Sequence, residues 1–312
     1  MKIFTLSPSE NWICDRFADE WQKYVPHLDT NDPESADIIW LLADWCWDQL
    51  NPQLLLNKKV VASVHHITPN KFNEAEKNNF FKRDQFIDVY HVPCIKTRDQ
   101  IANLTSKPIY VFPFWVNQEI WNSKQDQKQD LRKKYNLPES AFLIGSFQRD
   151  TEGFDLKSPK LEKGPDFFCD AVERFNKDKK DVLVVLGGWR RQYVMSRLDD
   201  AKIPYRYFEL PPFEVINDLY NCLDLYIVSA RYEGGPQAIV ECASNGTPII
   251  STDVGLASEI LPKESIFSPG KELIASANPE KAKINVLPFL IPQGFESFIS
   301  LFERMHENDE SR

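Results

Sequence analysis

The stretch Asp224-Leu-Tyr-Ile-Val-Ser-Ala230, Arg231-Tyr-Glu-Gly-Gly-Pro236, Gln237 to Ser244 and Asn245-Gly-Thr-Pro-Ile-Ile-Ser-Thr252 holds a strand, a polar turn, a helix and a second strand in under thirty residues. Leu225 to Val228 is a continuous apolar run, the pattern of a strand covered on both faces. Gly234 and Gly235 then allow close backbone approach of a ligand. Pro236 suits the first position of a helix, where a missing N–H costs nothing, and Gly246 suits a left-handed helix stop. The turn therefore delivers a helix N-terminus, whose free N–H groups and positive dipole end favour phosphate.

Two acids stand out in this unit, Glu233 in the turn and Glu241 in the helix, with seven residues between them. On a helical wheel Ile239, Val240 and Ala243 make the apolar face, so Gln237, Glu241, Ser244 and Asn245 share the polar one. Wheel geometry alone gives a solvated carboxylate. Its company says more: the turn glycines, the helix start, and a following strand that ends in Asp253-Val254-Gly255 with Glu259 nearby. In these features the chain resembles the retaining, nucleotide-sugar-dependent glycosyltransferases of the GT-B type, the family-four-like group, whose signature is Glu-x7-Glu in this strand-turn-helix setting. Glu233-Gly234-Gly235-Pro236 through Glu241, then Gly246-Thr247-Pro248, carries that resemblance.

At 312 residues, two domains with substantial cores are expected. The six cysteines, Cys14, Cys46, Cys94, Cys169, Cys222 and Cys242, form no Cys-x-x-Cys pair and sit mostly among apolar residues, as reduced core thiols of a cytoplasmic protein do. Met1 to Pro8 reads as a first strand and not as a signal peptide. No apolar run reaches transmembrane length. The net charge of −9 argues against a general nucleic-acid binder. No Gly-x-Gly-x-x-Gly, Walker loop, Gly-x-Ser-x-Gly elbow or His-Glu-x-x-His occurs, which weighs against dehydrogenase, NTPase, esterase and zinc-protease readings. Nor is there an Asp-x-Asp or clustered Cys/His set, so no metal is expected.

Along the chain, strands are expected at Lys2 to Leu6, Ala36 to Leu42, Lys59 to Val64, Phe86 to His91 and Ile109 to Phe112. A polar turn through Ser9, Glu10 and Asn11 leads into a helix from Phe17 to Tyr24, and another helix is expected near Lys96 to Leu104. This alternation indicates a mostly parallel sheet wound with helices. Trp45 and Trp47 follow the second strand and suit either core packing or an acceptor platform. His65 and His66 end the third. The resemblance places a histidine here against the donor sugar, with His65 the better fit and His66 its rival. The two-glycine turn that many relatives carry after the first strand is absent.

From Asn117 to Glu139 the sequence is polar without an apolar period and reads as a solvated domain connection. A second strand-helix series follows. Ala141 to Ser146 is a strand ending in Phe147-Gln148-Arg149-Asp150, and a polar excursion then reaches Lys160-Leu161-Glu162-Lys163-Gly164-Pro165 before a helix through Phe167, Phe168, Ala171, Val172 and Phe175. The resemblance implies an arginine and a Lys-Gly here aimed at the donor diphosphate, positions that Arg149 and Lys163 match in kind, with Lys160 the alternative to Lys163. Strands at Val182 to Leu186 and Tyr205 to Phe208 come next. After the second lie Phe208, Glu209 and Leu210, where the family runs its backbone along the nucleobase and often has a glycine. Phe295, Phe298, Ile299, Phe302 and Met305 share one face of a last helix.

The expectation is an α/β protein of two facing Rossmann-like domains, the GT-B fold: residues 1–118 on the acceptor side, 119–285 binding the donor, and 286–312 a C-terminal helix returning to the first domain. By resemblance, the chain moves a sugar from a nucleoside diphosphate sugar to an acceptor of unknown identity, with retention and with no cofactor beyond that co-substrate. Glu233, Arg149, Lys163 and His65 are its catalytic candidates. Glu241, Gly234, Gly235, Pro236, Phe208, Leu210, Gly255 and Lys160 are its donor-binding ones, and His66, Trp45 and Trp47 its acceptor-side ones. A nucleotide-sugar epimerase or hydrolase, or a non-catalytic nucleotide-sugar binder, would share the architecture.

Overall fold

The computed structural model describes residues 1–10, 13–178, 181–270 and 275–310, with side chains through residue 307. Asn11 of the expected first turn and residues 311 and 312 of the C-terminal segment lie outside the described residues. The chain divides into two compact units, Met1–Trp115 with Pro292–Arg312 (unit 1) and Val116–Ile291 (unit 2).

Unit 1 holds a five-stranded parallel sheet in the order β1 (Ile3–Leu6), β2 (Ile38–Leu41), β3 (Lys59–Ser63), β4 (Val89–Val92) and β5 (Ile109–Val111). Every residue of β2 is buried, as a central parallel strand requires. The helix Ile13–Tyr24 starts earlier than its apolar spacing suggests and buries Cys14, Phe17 and Trp21. The last helix, Glu296–Glu310, belongs to this unit. It buries Phe298, Leu301, Phe302 and Met305, with Phe302 edge-on to Trp21 at 5.7 Å and Phe298 against Trp40 at 4.9 Å. This is the C-terminal helix returning to the first domain, packed there through aromatic contacts.

Unit 2 holds β6 (Phe142–Ser146), a small antiparallel hairpin of β7 (Thr151–Glu152) and β8 (Ser158–Pro159), then β9 (Val182–Gly188), β10 (Tyr205–Glu209), β11 (Leu225–Val228), β12 (Ile249–Thr252) and β13 (Ile266–Phe267). Its sheet is parallel throughout, in the order β10-β9-β6-β11-β12-β13. Strand order reverses at β6 and β11, and ligands of open α/β sheets bind outside the carboxyl ends of strands at such a switch point. The loops that follow β6 and β11 both emerge there.

One boundary and the reading of one segment differ from expectation. Unit 2 runs to Ile291, because Val116 donates its N–H to the Phe289 carbonyl (2.7 Å), Ile291 donates to the Val116 carbonyl (3.1 Å), and the Gln118 amide reaches the Ile291 carbonyl (2.6 Å). The polar segment Asn117 to Glu139 is also not a solvated connection. It contains the helix Lys128–Lys134, and Trp121, Leu131 and Arg132 are buried. Its cations pair with two acids of the same unit: Lys124 and Lys134 with Asp218 (2.6 and 2.8 Å), Lys128 and Arg132 with Asp224 (2.8 and 2.7 Å). Long basic side chains bury their stems while their heads find partners, so a polar run here still packs.

Candidate functional site

The loop after β11 is fixed by contacts that only glycine permits. Gly164 has φ +61°, and a Cβ there would lie 1.8 Å from the Ser229 carbonyl oxygen. Gly255 has φ +50°, and a Cβ there would lie 2.1 Å from the Gly234 carbonyl oxygen, which also accepts the Leu256 N–H at 2.9 Å. Arg231 and Tyr232 donate backbone N–H groups to the Glu162 carbonyl (2.8 and 3.1 Å), and the Arg231 guanidinium grips Asp166 in two bonds of 2.7 and 2.6 Å. Bidentate pairs of this kind fix geometry as well as adding energy. The turn that carries Glu233 is thus held on both flanks.

These contacts bring Lys163 and Glu233 together as an ion pair, each side chain about 15% exposed. The Lys163 carbonyl accepts the Gln148 side-chain amide at 2.8 Å and the Ser229 hydroxyl at 3.3 Å, tying the loop after β6 to the loop after β11. Arg149 donates Nε–H to the Thr151 carbonyl (3.0 Å) and lies 5.1 Å above the Trp189 ring. Lys160 pairs with Glu162 at 3.4 Å and donates its backbone N–H to the Asp150 carbonyl at 2.8 Å, in the hairpin that the polar excursion forms.

The helix Gln237–Asn245 ends at Gly246 with φ +80°, but Pro236 is the residue before the helix and not its first member, since its ψ of 108° is extended. A larger difference concerns the polar face of this helix. Glu241 is 7% exposed and accepts the Tyr220 hydroxyl at 3.0 Å, Asn245 is fully buried against Asn217 (3.2 Å) and Thr247, and Ser244 donates to the Trp121 carbonyl at 2.6 Å. Partners from the helix Phe213–Cys222, together with the Trp121 carbonyl and Thr247, satisfy these groups, so the face packs instead of facing water. Burial, then the Glu241 charge, holds the Tyr220 hydroxyl well above its ordinary range, which keeps it a donor to the carboxylate.

At the other end of the sheet's carboxyl edge, Phe208 meets the Tyr135 ring edge-on at 6.0 Å. Leu210 has φ +42°, an exposed side chain, and an N–H on the Gly188 carbonyl at 3.3 Å. Leu210 thus takes a conformation that favours glycine.

Sequence reading missed Trp189, Tyr220 and the buried pair of Asp150 with Arg191, whose guanidinium also reaches the Gly187 carbonyl (2.6 Å) and the Ser146 hydroxyl (3.1 Å). A signal was present in Gly187-Gly188-Trp189-Arg190-Arg191, glycines and cations at the carboxyl end of a strand.

In unit 1, His65 shares Nε2 with the Leu42 carbonyl (2.8 Å) and the Cys14 thiol (3.4 Å), stacks on Phe114 at 5.5 Å and lies 5.9 Å from Trp45. Burial pushes the Cys14 thiol up to about 12, so it is no nucleophile at neutral pH. His66 is half-buried. Trp45 is exposed, whereas Trp47 stacks on Phe86 at 5.5 Å, and both lie on the short helix Asp44–Gln49. Among the described residues no three or more His, Cys, Asp or Glu side chains converge as metal ligands, and no helix is long and apolar enough to cross a membrane.

Residues 156–287 match the family model described as glycosyl transferases group 1. The lipopolysaccharide core biosynthesis mannosyltransferase LpsB of Rhizobium meliloti is 24% identical over 141 residues, 43% of this chain and 38% of LpsB. The O-antigen biosynthesis glycosyltransferase WclY of Escherichia coli is 22% identical over 137 residues, 44% of this chain and 35% of WclY. The chain thus matches little more than a third of the length of these curated relatives. Among solved structures, HepE of Anabaena in complex with UDP-glucose superposes with a TM-score of 0.75 at 13% identity, covering 99% of both chains. Sucrose-phosphate synthase of Thermosynechococcus elongatus gives 0.67 at 14%, covering 96% of this chain and 77% of its own. The fold is therefore that of the GT-B glycosyltransferases, and the family likeness in sequence falls on the part of unit 2 that holds Lys163, Glu233, Glu241 and Gly255.

Proposed function

We propose that this chain is a retaining glycosyltransferase that moves a sugar from a nucleoside diphosphate sugar to a saccharide acceptor, without a metal. The observation that carries the reading is the Lys163–Glu233 pair at the β6/β11 switch point, with the buried Glu241 on the helix that follows. Breaking the glycosidic bond leaves an oxocarbenium-like sugar and a departing diphosphate, so fixed positive groups must stand where that charge grows. Lys163, Arg149 and the N–H groups opening the helix Gln237–Asn245 supply them. Glu241, held by Tyr220, suits the ribose hydroxyls, since a carboxylate accepts from paired O–H donors. Glu233 takes hydroxyls of the transferred sugar and orients it. The backbone of Phe208 to Leu210 lies along the base.

Retention, and the contact of His65 with the sugar, rest on the family resemblance. A saccharide acceptor is supported by the lipopolysaccharide and O-antigen roles in the relatives' names. Six buried free thiols support a reducing, cytoplasmic setting. The test is release of nucleoside diphosphate from a panel of UDP-, GDP-, ADP- and dTDP-sugars, with and without oligosaccharide acceptors, in chelator and in Mg2+ or Mn2+. Acceptor-dependent release that persists in chelator is expected. Release that needs no acceptor would indicate a hydrolase, and activity restored only by metal would contradict metal independence.

A further inference from the structure

We infer that Glu233 is a resident counter-anion on Lys163, through which the site distinguishes an intact nucleoside diphosphate sugar from the spent nucleoside diphosphate. The inference rests on the proposed role of Lys163 as a phosphate ligand and adds a specificity to it. The backbone is fixed beside both members of the pair. Lys163 is tied through its carbonyl to Gln148 and Ser229 and is followed by Gly164, locked against Ser229. Glu233 precedes Gly234, whose carbonyl is packed against Gly255 and bonded to Leu256. Both side chains are about 85% shielded, so water replaces a lost partner only in part.

An arriving diphosphate takes the Lys163 ammonium and leaves Glu233 beside new negative charge. In an intact donor the sugar hydroxyls donate to the released carboxylate, so both partners are exchanged for new ones. The spent nucleotide has no sugar hydroxyls to offer there. It satisfies Lys163 alone and meets a shielded, unpaired carboxylate, which weakens its hold. The pair therefore favours donor over product and hastens release of the leaving group after transfer. Glu233 is on this account a specificity-determining residue in addition to a sugar ligand.

Calorimetric titration of the full chain with inorganic pyrophosphate, which carries the diphosphate without base or sugar, tests this on wild type, Glu233→Gln, Lys163→Gln and the double variant. Glu233→Gln should bind pyrophosphate about tenfold more tightly, the scale of one charge-assisted hydrogen bond, and this gain should vanish in the Lys163→Gln background. No gain, or an equal gain in both backgrounds, would overturn the inference and leave only a general field effect. Pyrophosphate that binds none of the four proteins, or binds Lys163→Gln as well as wild type, would instead remove Lys163 as a phosphate ligand, and the functional reading with it. Should Glu233→Gln fail to fold by circular dichroism, Glu233→Asn makes the same comparison.

Discussion

Both units are parallel sheets wound with helices, yet they place their polar groups differently. In unit 1 they close on themselves. Trp40 donates to the Ser63 hydroxyl (2.9 Å), Ser63 meets His91 Nδ1 (2.9 Å), and His91 Nε2 meets the Phe112 carbonyl (2.9 Å), deep in an aromatic core. Unit 2 has closed pairs too, Asp150 with Arg191 and Asn217 with Asn245, but adds the partly shielded Lys163, Glu233 and Arg149 in loops at its carboxyl edge that glycine contacts hold. A satisfied internal network rigidifies a core, whereas charge at a strand edge offers itself to a ligand. All five histidines, His27, His65, His66, His91 and His306, fall in unit 1.

The largest effect expected is on the glycine contacts. Gly164→Ala should destabilise the protein by about 4 kcal/mol or more, because its Cβ meets backbone in a left-handed conformation. Urea denaturation measures this, and a loss under about 1 kcal/mol would mean that the turn is not held as described. Next, Arg149→Ala and Lys163→Ala should each lower turnover by roughly 10²-fold with the fold retained, the usual scale for a fixed donor to developing charge. Full activity in either variant would make the carboxyl edge no different in kind from the closed network of unit 1.

The third effect belongs to unit 1. Burial holds the His91 imidazole down at about 3, so the folded state keeps it neutral. Its contribution is complete above the unfolded value near 6.5 and is lost as pH falls below that, by roughly 2 kcal/mol at pH 5. Denaturant midpoints at pH 7.5 and 5 should show the loss, and His91→Gln should flatten it. The smallest effect is at Lys160, whose ion pair with Glu162 lies at 3.4 Å in the hairpin. Lys160→Ala should change stability by less than about 1 kcal/mol and turnover by only a few-fold. A crippling loss of turnover there would move the phosphate contact from Lys163 to Lys160.

The same contrast explains what could be read from sequence. Strand β11 and the stop at Gly246 were legible because an uninterrupted apolar run and a glycine each have one local meaning. The burial of Glu241 was not, since a helical wheel records polarity and not the Tyr220 partner that another helix brings. The packing of the segment from Asn117 to Glu139 was hidden for the same reason, its cations being matched by Asp218 and Asp224 far along the chain. Arg191 illustrates the limit well. In a run of polar letters it looks exposed, while in the fold it is fully buried against Asp150.

The glycine contacts also bear on how a mutational library of this chain would read. Gly164 and Gly255 tolerate no side chain, so every variant at these positions would drop out of a selection for activity as completely as variants of Lys163 or Glu233. Yet a Cβ at either glycine meets only backbone of the protein itself. Scoring cellular abundance in parallel would part the two sets: the glycine variants vanish as protein, and the Lys163 and Glu233 variants persist as folded chains that do not turn over.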